Sequence, residues 1–318
     1  MPTDIVTVPP PRSWGVEVNE SVLADLAQRW SDEPMPLPQF NYPGTPAERD
    51  ESWWYDYVTV AVSVLACLWP PEGEKTWAVD HHGTWLDDSP GIFTVFTRLV
   101  ESGQFDVQSL RAASAAELRS LFTDRSHGTL QLLDERAETI HAVTQEITDH
   151  WSGSVVNLVR QGGYDARRIA ELLTESFDAY CDRPDSTAGT LPFDKLAHLA
   201  ASVMAAGIGW ERFTNFENFP VYPDYMLPRV FRHYGAMVYE PALAHAVDNR
   251  QLIKAGSPHE YAIRWATVYC GHILREGLHR IGNPVAAPGL DYFLWSTAVL
   301  GPDAASFGEH HRTLTMLY

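Results

Sequence analysis

Apolar positions recur at helical spacing through most of the chain. Val22, Leu23, Leu26 and Trp30 make one face of a short amphipathic helix over 21–30. Around it, residues 1–50 are rich in proline and predict an extended segment packed on the rest, with Phe40 and Tyr42 expected to cover the core. The run from Trp53 to Trp69 is dense in aromatic and β-branched residues and holds no breaker, a length that favours buried helix over strand. Pro70-Pro71 ends it, and residues 73–90 carry the turn chemistry of a hairpin or a loop over a site. From Ile92 onward helix follows helix. Phe93, Phe96, Leu99 and Val100 line one face; Ser114 and Glu117 form a capping box; further helices are predicted over 130–151, 154–159, 165–180, 193–208 and 240–247. Ser257-Pro258-His259-Glu260 is a second capping box with proline at the first helical position, and Asp291 is expected to open a last helix. No repeat or long linker divides the chain, so the expectation is one globular all-α domain over 1–318.

The stretch from Asn215 to Tyr239 breaks this rhythm. Pro220 and Pro223 hold Phe219 and Tyr222 extended, so no helix starts before them. Leu227, Val230, Phe231 and Tyr234 then form a helical face, with Pro228 in its first turn and Gly235 as its stop. Asp224 falls at or just before that helix, where unpaired N–H groups favour an ionised carboxylate. An N-cap is the ordinary reading of such an aspartate. The flanking prolines and tyrosines fit a group whose placement matters.

Composition narrows the function. Lys+Arg 23 against Asp+Glu 41 gives a net charge of −18, which repels nucleic acid and acidic membranes but permits a small anion held by a few cations. Cys67, Cys181 and Cys270 are odd in number and far apart, without the spacing of a disulfide framework or a zinc site. No signal peptide and no apolar run of membrane-spanning length is read from the sequence, so a cytoplasmic location is expected.

The common nucleotide, metalloprotease and serine-hydrolase motifs are absent. Adjacent histidines, as in His81-His82 and His310-His311, point apart on a helix, so no metal and no cofactor is predicted. Lys195 and Arg264 lie within apolar helical runs and need partners there; for each, an ion pair with Glu260 or Asp291 is the structural reading. Glu260 and Asp291 also read as caps. Tyr222, Tyr225 and Trp295 are aromatic enough to stack a planar base, although core packing is the usual fate of such residues. One rigid carboxylate, aromatics and buried cations suit a flat heterocycle on an anionic sugar.

The order of motifs resembles the queuosine salvage protein family, the queuosine 5′-phosphate N-glycosylase/hydrolases, from about Tyr55 to Tyr318. The family's F-A-D-Y-R-x-P-Q is similar to the eight residues from Tyr222 to Arg229. Its K-R-A-Q resembles the four residues from Lys195, its E-x-E-I-R the stretch from His259 to Arg264, and its D-Y-x-L-W the five residues from Asp291 to Trp295. Leu133 to Arg136 resembles L-x-E-R, and His311-Arg312 with Tyr318 resembles the C-terminal H-R…Y. Met226 and Arg229 stand where the family has arginine and glutamine, and Tyr222 where it has phenylalanine.

The resemblance implies a helical fold akin in architecture to the helical DNA glycosylases. It also implies hydrolysis of the N-glycosidic bond of a 7-deazaguanine nucleoside 5′-monophosphate, with release of queuine or a related base. Asp224 then inherits the catalytic role. Asp291 is a candidate to read the guanine edge, Tyr222, Tyr225 and Trp295 are candidates for the base walls, and Lys195, Arg229 and Arg264 for the phosphate. Glu260 and His82 complete the candidate substrate contacts. The alternatives are a glycosidase for an unphosphorylated or different deazapurine nucleoside, and a base-binding protein without turnover. No nucleic-acid or membrane partner is expected.

Overall fold

A computed structural model describes residues 3–41, 44–46, 48–123 and 127–318, apart from the side chain of Asn218. The helices are α1 (Glu20–Arg29), α2 (Glu51–Ser63), α3 (Asp88–Glu101), α4 (Val107–Ala112), α5 (Ala115–Ser120), α6 (Leu133–His150) and α7 (Val156–Gln161). They continue as α8 (Ala166–Ser176), α9 (Lys195–Ile208), α10 (Leu227–His233), α11 (Pro241–Asp248), α12 (Pro258–Arg280) and α13 (Ala287–Val299). The strands form only two-stranded antiparallel ribbons among the described residues: β1 (Val16–Val18) with β6 (Met237–Tyr239), β2 (Ala78–His81) with β3 (Thr84–Asp87), and β4 (Asp185–Ser186) with β5 (Gly189–Thr190). The protein is therefore mostly helical, as the periodicity predicts.

Contacts group the chain into two compact units. The first gathers residues 1–38, 182–195 and 215–314. Its longest helix is α12, started by Ser257, whose hydroxyl accepts the Glu260 N–H, and by Pro258 in the first turn. Ala262, Ile263, Ala266, Cys270 and Leu274 of α12 are buried. Helix α1 packs on it, with Leu23 and Leu26 in the same apolar core, and the Tyr269 hydroxyl donates to Glu20 at 2.5 Å. A Cβ on Gly277 would lie 2.8 Å from the Ala27 Cβ, so glycine sets the close approach of these helices. Part of the proline-rich N-terminus is more regular than expected. Val16–Val18 becomes a strand because Met237–Tyr239, far along the chain, supplies its partner.

The second unit gathers 39–181, 196–214 and 315–318. Helix α2 is buried along its last ten residues, Trp54–Ser63. Trp54 stacks on Tyr57, and Phe40 packs edge-on against Trp54 and Phe93, covering the core as anticipated; Tyr42 lies outside the described residues. The long helix predicted to Trp69 stops at Ser63 instead. The Arg136 guanidinium donates to the carbonyls of Val64, Ala66 and Cys67, replacing the N–H donors that a further helical turn would provide, and Cys67 turns to φ +51°. Residues 78–87 are a β-hairpin, one of the two forms expected there.

Candidate functional site

Asp224 lies before α10, and the local sequence dictates its setting. Pro223 sits at the centre of a three-residue turn in which the Asp224 N–H donates to the Tyr222 carbonyl at 2.8 Å. The chain then enters α10 with Pro228 in the first turn, leaving the N–H groups of Met226 and Leu227 without helical acceptors. Asp224 Oδ1 accepts both, at 2.8 and 2.9 Å. Its other oxygen makes no hydrogen bond among the described residues, and the side chain keeps some solvent-accessible surface. At its far end α10 closes on Gly235 at φ +76°, with Ala236 N–H on the Phe231 carbonyl and Gly235 N–H on that of Arg232, the stop read from the sequence.

Asp291 is the neighbouring acid. Helix α13 begins at Ala287, with Pro288 in its first turn, so Asp291 lies a turn inside the helix and does not open it. Asp291 Oδ1 accepts the Tyr222 N–H at 2.7 Å, and its second oxygen has no hydrogen bond among the described residues. Tyr222 thus links both acids through its backbone. Burial raises the Asp224 carboxyl above the usual range, while Lys195 and the surrounding N–H groups pull it back. Burial lifts Asp291 well above that range, the Asp224 charge adds to the rise, and Lys195 offsets little of it. Both acids are therefore harder to ionise than an exposed carboxyl, Asp291 the more so of the two. Lys195, at the first position of α9, is buried and close enough to act on both.

The remaining candidates fall into distinct settings. Tyr225 is buried with its ring 4.9 Å from that of His310. Trp295 is half-buried and stacks on Tyr292. Arg229 donates to the carbonyls of Gly308, Ala304 and Ala298 at 3.0, 3.1 and 3.4 Å. Arg264 is fully buried and forks onto Asp182, with a further bond of 3.2 Å to Glu260. Glu260 also accepts the Gly256 N–H, so its carboxylate is engaged on both sides. His82 belongs to the second unit, at the exposed β2–β3 turn, 3.6 Å from Glu101. His81, His82 and Glu101 bring their donor atoms within 4.8 Å of one another, because the hairpin turn swings both imidazoles to one side. Among the described residues this is the group close enough to share a metal ion, and it is largely solvent-exposed.

Two participants escaped the sequence reading. Asp182 stands in a loop of turn-forming residues, where an aspartate gives no signal of burial. His310, half-buried beside Tyr225, donates through Nδ1 to the His311 carbonyl at 2.8 Å, which leaves Nε2 as an acceptor. Burial pushes His310 down to about 4 and His311 to about 3, so both rings are neutral. The C-terminal H-R…Y pattern was the signal available for them.

A family model described as queuosine salvage protein matches residues 45–318. The queuosine 5′-phosphate N-glycosylase/hydrolase of Sphaerobacter thermophilus is 25% identical over 315 residues, covering 95% of this chain and 93% of that protein. Proteins of the same name from Mus musculus and Dictyostelium discoideum are each 22% identical, covering 82% and 88% of this chain and 81% and 84% of theirs.

Proposed function

The chain belongs to the queuosine salvage protein family, and on that premise we propose that it hydrolyses the N-glycosidic bond of queuosine 5′-monophosphate and releases queuine. The observation that carries this reading is the Asp224 carboxylate, with one oxygen tied to two backbone N–H groups and the other without a hydrogen bond among the described residues. Cleavage of the bond between the anomeric carbon and the base nitrogen leaves positive charge on the sugar and a pair of electrons on the base. Ionised Asp224 stabilises the cation and takes a proton from the attacking water, whose oxygen bonds to the anomeric carbon. A 7-deazapurine has no N7 to protonate, so the departing base needs a proton or a hydrogen bond elsewhere. Asp291, held in its acid form, is suited to supply it, and the proton gained by Asp224 restores the pair. Tyr225 and Trp295 are proposed as base walls.

Arg229 and Arg264 spend their donors on protein carbonyls and carboxylates, and Lys195, buried and acting on both acids, is proposed as the phosphate contact. The same observation favours a second reading, an enzyme that takes the unphosphorylated nucleoside. Chromatography of free base from queuosine with and without its 5′-phosphate separates the two. For the main reading, Asp224→Asn is expected to lower base release by about 10²–10³-fold. Turnover close to wild type in that variant overturns it. The two units are proposed to act as one domain, since neither is a continuous stretch of chain, and a cytoplasmic location is proposed from the odd, widely spaced cysteines. Among the described residues no helix is long and apolar enough to cross a membrane.

A further inference from the structure

The backbone of the Asp224 loop is held at each polar group from the Tyr222 N–H to the Asp224 N–H. The Tyr222 N–H goes to Asp291 and its carbonyl to the Asp224 N–H. The Pro223 carbonyl accepts from Arg264 Nε at 3.3 Å. That last bond comes from behind the site, from a side chain only 1% exposed. The other two nitrogens of Arg264 fork onto the Asp182 carboxylate, and one of them also reaches Glu260 at 3.2 Å. The guanidinium lies over the Phe193 ring at 4.0 Å.

Asp182 carries the connection onward. Its carbonyl accepts the N–H groups of Phe193 and Asp194 at 3.0 and 3.3 Å, and its own N–H donates to Asp194 Oδ1 at 3.3 Å. Asp194 takes a left-handed φ of +45°, immediately before Lys195. Such a backbone costs an L-residue about 1–2 kcal/mol and persists where neighbours enforce it. Through one edge, then, a single guanidinium holds the backbone beside Asp224; through the other it holds the segment that delivers Lys195. A planar cation with donors in three directions is needed for that task, and a lysine ammonium cannot fork onto Asp182 while facing Pro223.

We infer that Arg264 is a positioning residue, which with Asp182 and Glu260 fixes the Asp224 loop and the start of α9 relative to each other and acts on the reaction through Asp224 and Lys195 without touching the substrate. The inference rests on the reading of Asp224 as the catalytic group. It departs from the expectation that Arg264 meets the phosphate.

The test compares wild type, Arg264→Lys, Asp224→Asn and the double variant, each checked for folding by its thermal midpoint. The substrate is queuosine 5′-monophosphate. Arg264→Lys is expected to lower kcat by about 10²-fold, the usual result of an ångström-scale misplacement, with KM little changed. In the Asp224→Asn background the same change is expected to cost far less than in wild type, since the part of its effect that runs through that carboxylate is gone. Glu260→Gln, which weakens one side of the guanidinium's setting, is expected to give a smaller kcat loss of the same kind, and it decides the matter if Arg264→Lys does not fold. Wild-type kcat in folded Arg264→Lys overturns the inference. So does a rise in KM at constant kcat, which marks a phosphate contact, and so does a loss additive with Asp224→Asn. If wild type releases no base, or Asp224→Asn matches it, the catalytic reading of Asp224 falls before Arg264 is touched, and the inference falls with it.

Discussion

Two arginines are buried to the same degree in this protein, Arg264 in the first unit and Arg136 in the second, and they are held in opposite ways. Arg264 meets two carboxylates, with one backbone carbonyl at its edge. The bonds that hold Arg136 among the described residues run to the carbonyls of Gln131, Val64, Ala66 and Cys67. Arg136 finishes α2 where the chain does not, and these four carbonyls are neutral dipoles that no proton can change. The partners of Arg264 are titratable. The first arrangement stiffens a fold; the second, on the role proposed above, orients a loop beside a catalytic carboxylate. Burial alone does not distinguish them, and the identity of the acceptors does.

The largest effects expected from this contrast are on stability. Arg136→Met strands several buried carbonyls, and Arg264→Met leaves two buried carboxylates without their cation. Each is expected to cost about 3–5 kcal/mol, read by urea denaturation. The pH response separates them. Carboxylates deprived of a cation are relieved by taking up protons, so the Arg264→Met deficit is expected to shrink as pH falls, while that of Arg136→Met stays flat. Parallel deficits across pH 5–8 break the comparison.

A smaller effect concerns Asp56, a buried acid of the second unit that accepts the Val155 N–H at 2.6 Å and the Ser154 hydroxyl at 3.3 Å. Burial pushes it up to about 6 from 3.8. The folded protein therefore binds the extra proton. The group's contribution is fully present below its unfolded value and is lost as pH rises through about 6. Asp56→Asn keeps the acceptor oxygen and removes the ionisation. Its thermal midpoint relative to wild type is expected to climb between pH 4 and 6 and to level off above; an unchanging difference contradicts the assignment.

The smallest expected effect contrasts two helical glycines. A Cβ on Gly271 would meet Val221 at 2.3 Å, and one on Gly207 would meet Trp54 at the same distance. Overpacking of about 1–3 kcal/mol is partly offset by the better helix propensity of alanine, about 1 kcal/mol. Both alanine variants are expected to lose a few degrees in thermal midpoint. Gly271→Ala is also expected to lower kcat, because Val221 leads directly into the Asp224 loop, whereas Gly207→Ala leaves kcat alone.

Periodicity and caps were enough to read most of the helices. Asp224 was legible from the two prolines that fix its approach. What stayed hidden was set by partners distant in sequence. Nothing in Val16–Val18 announces a strand until Met237–Tyr239 lies beside it, and Ser63 ends α2 because of an arginine on α6. Asp291 was read as a cap, yet Pro288 starts its helix a turn earlier. Glu260 and Arg264 were legible as an ion pair, but a sequence cannot say whether a buried cation faces a ligand or the back of a loop. That depends on Asp182, whose surroundings give no local sign.

The pairing of β1 with β6 and the seat of α1 on α12 bear on how the protein is made. Leu23 and Leu26 leave the ribosome long before the helix that covers them, which lies far along the chain. The nascent chain must carry an uncovered greasy face through most of its own synthesis, a state that invites chaperone engagement and slows maturation. A message cut short before α12 would produce a polypeptide whose α1 has nowhere to dock.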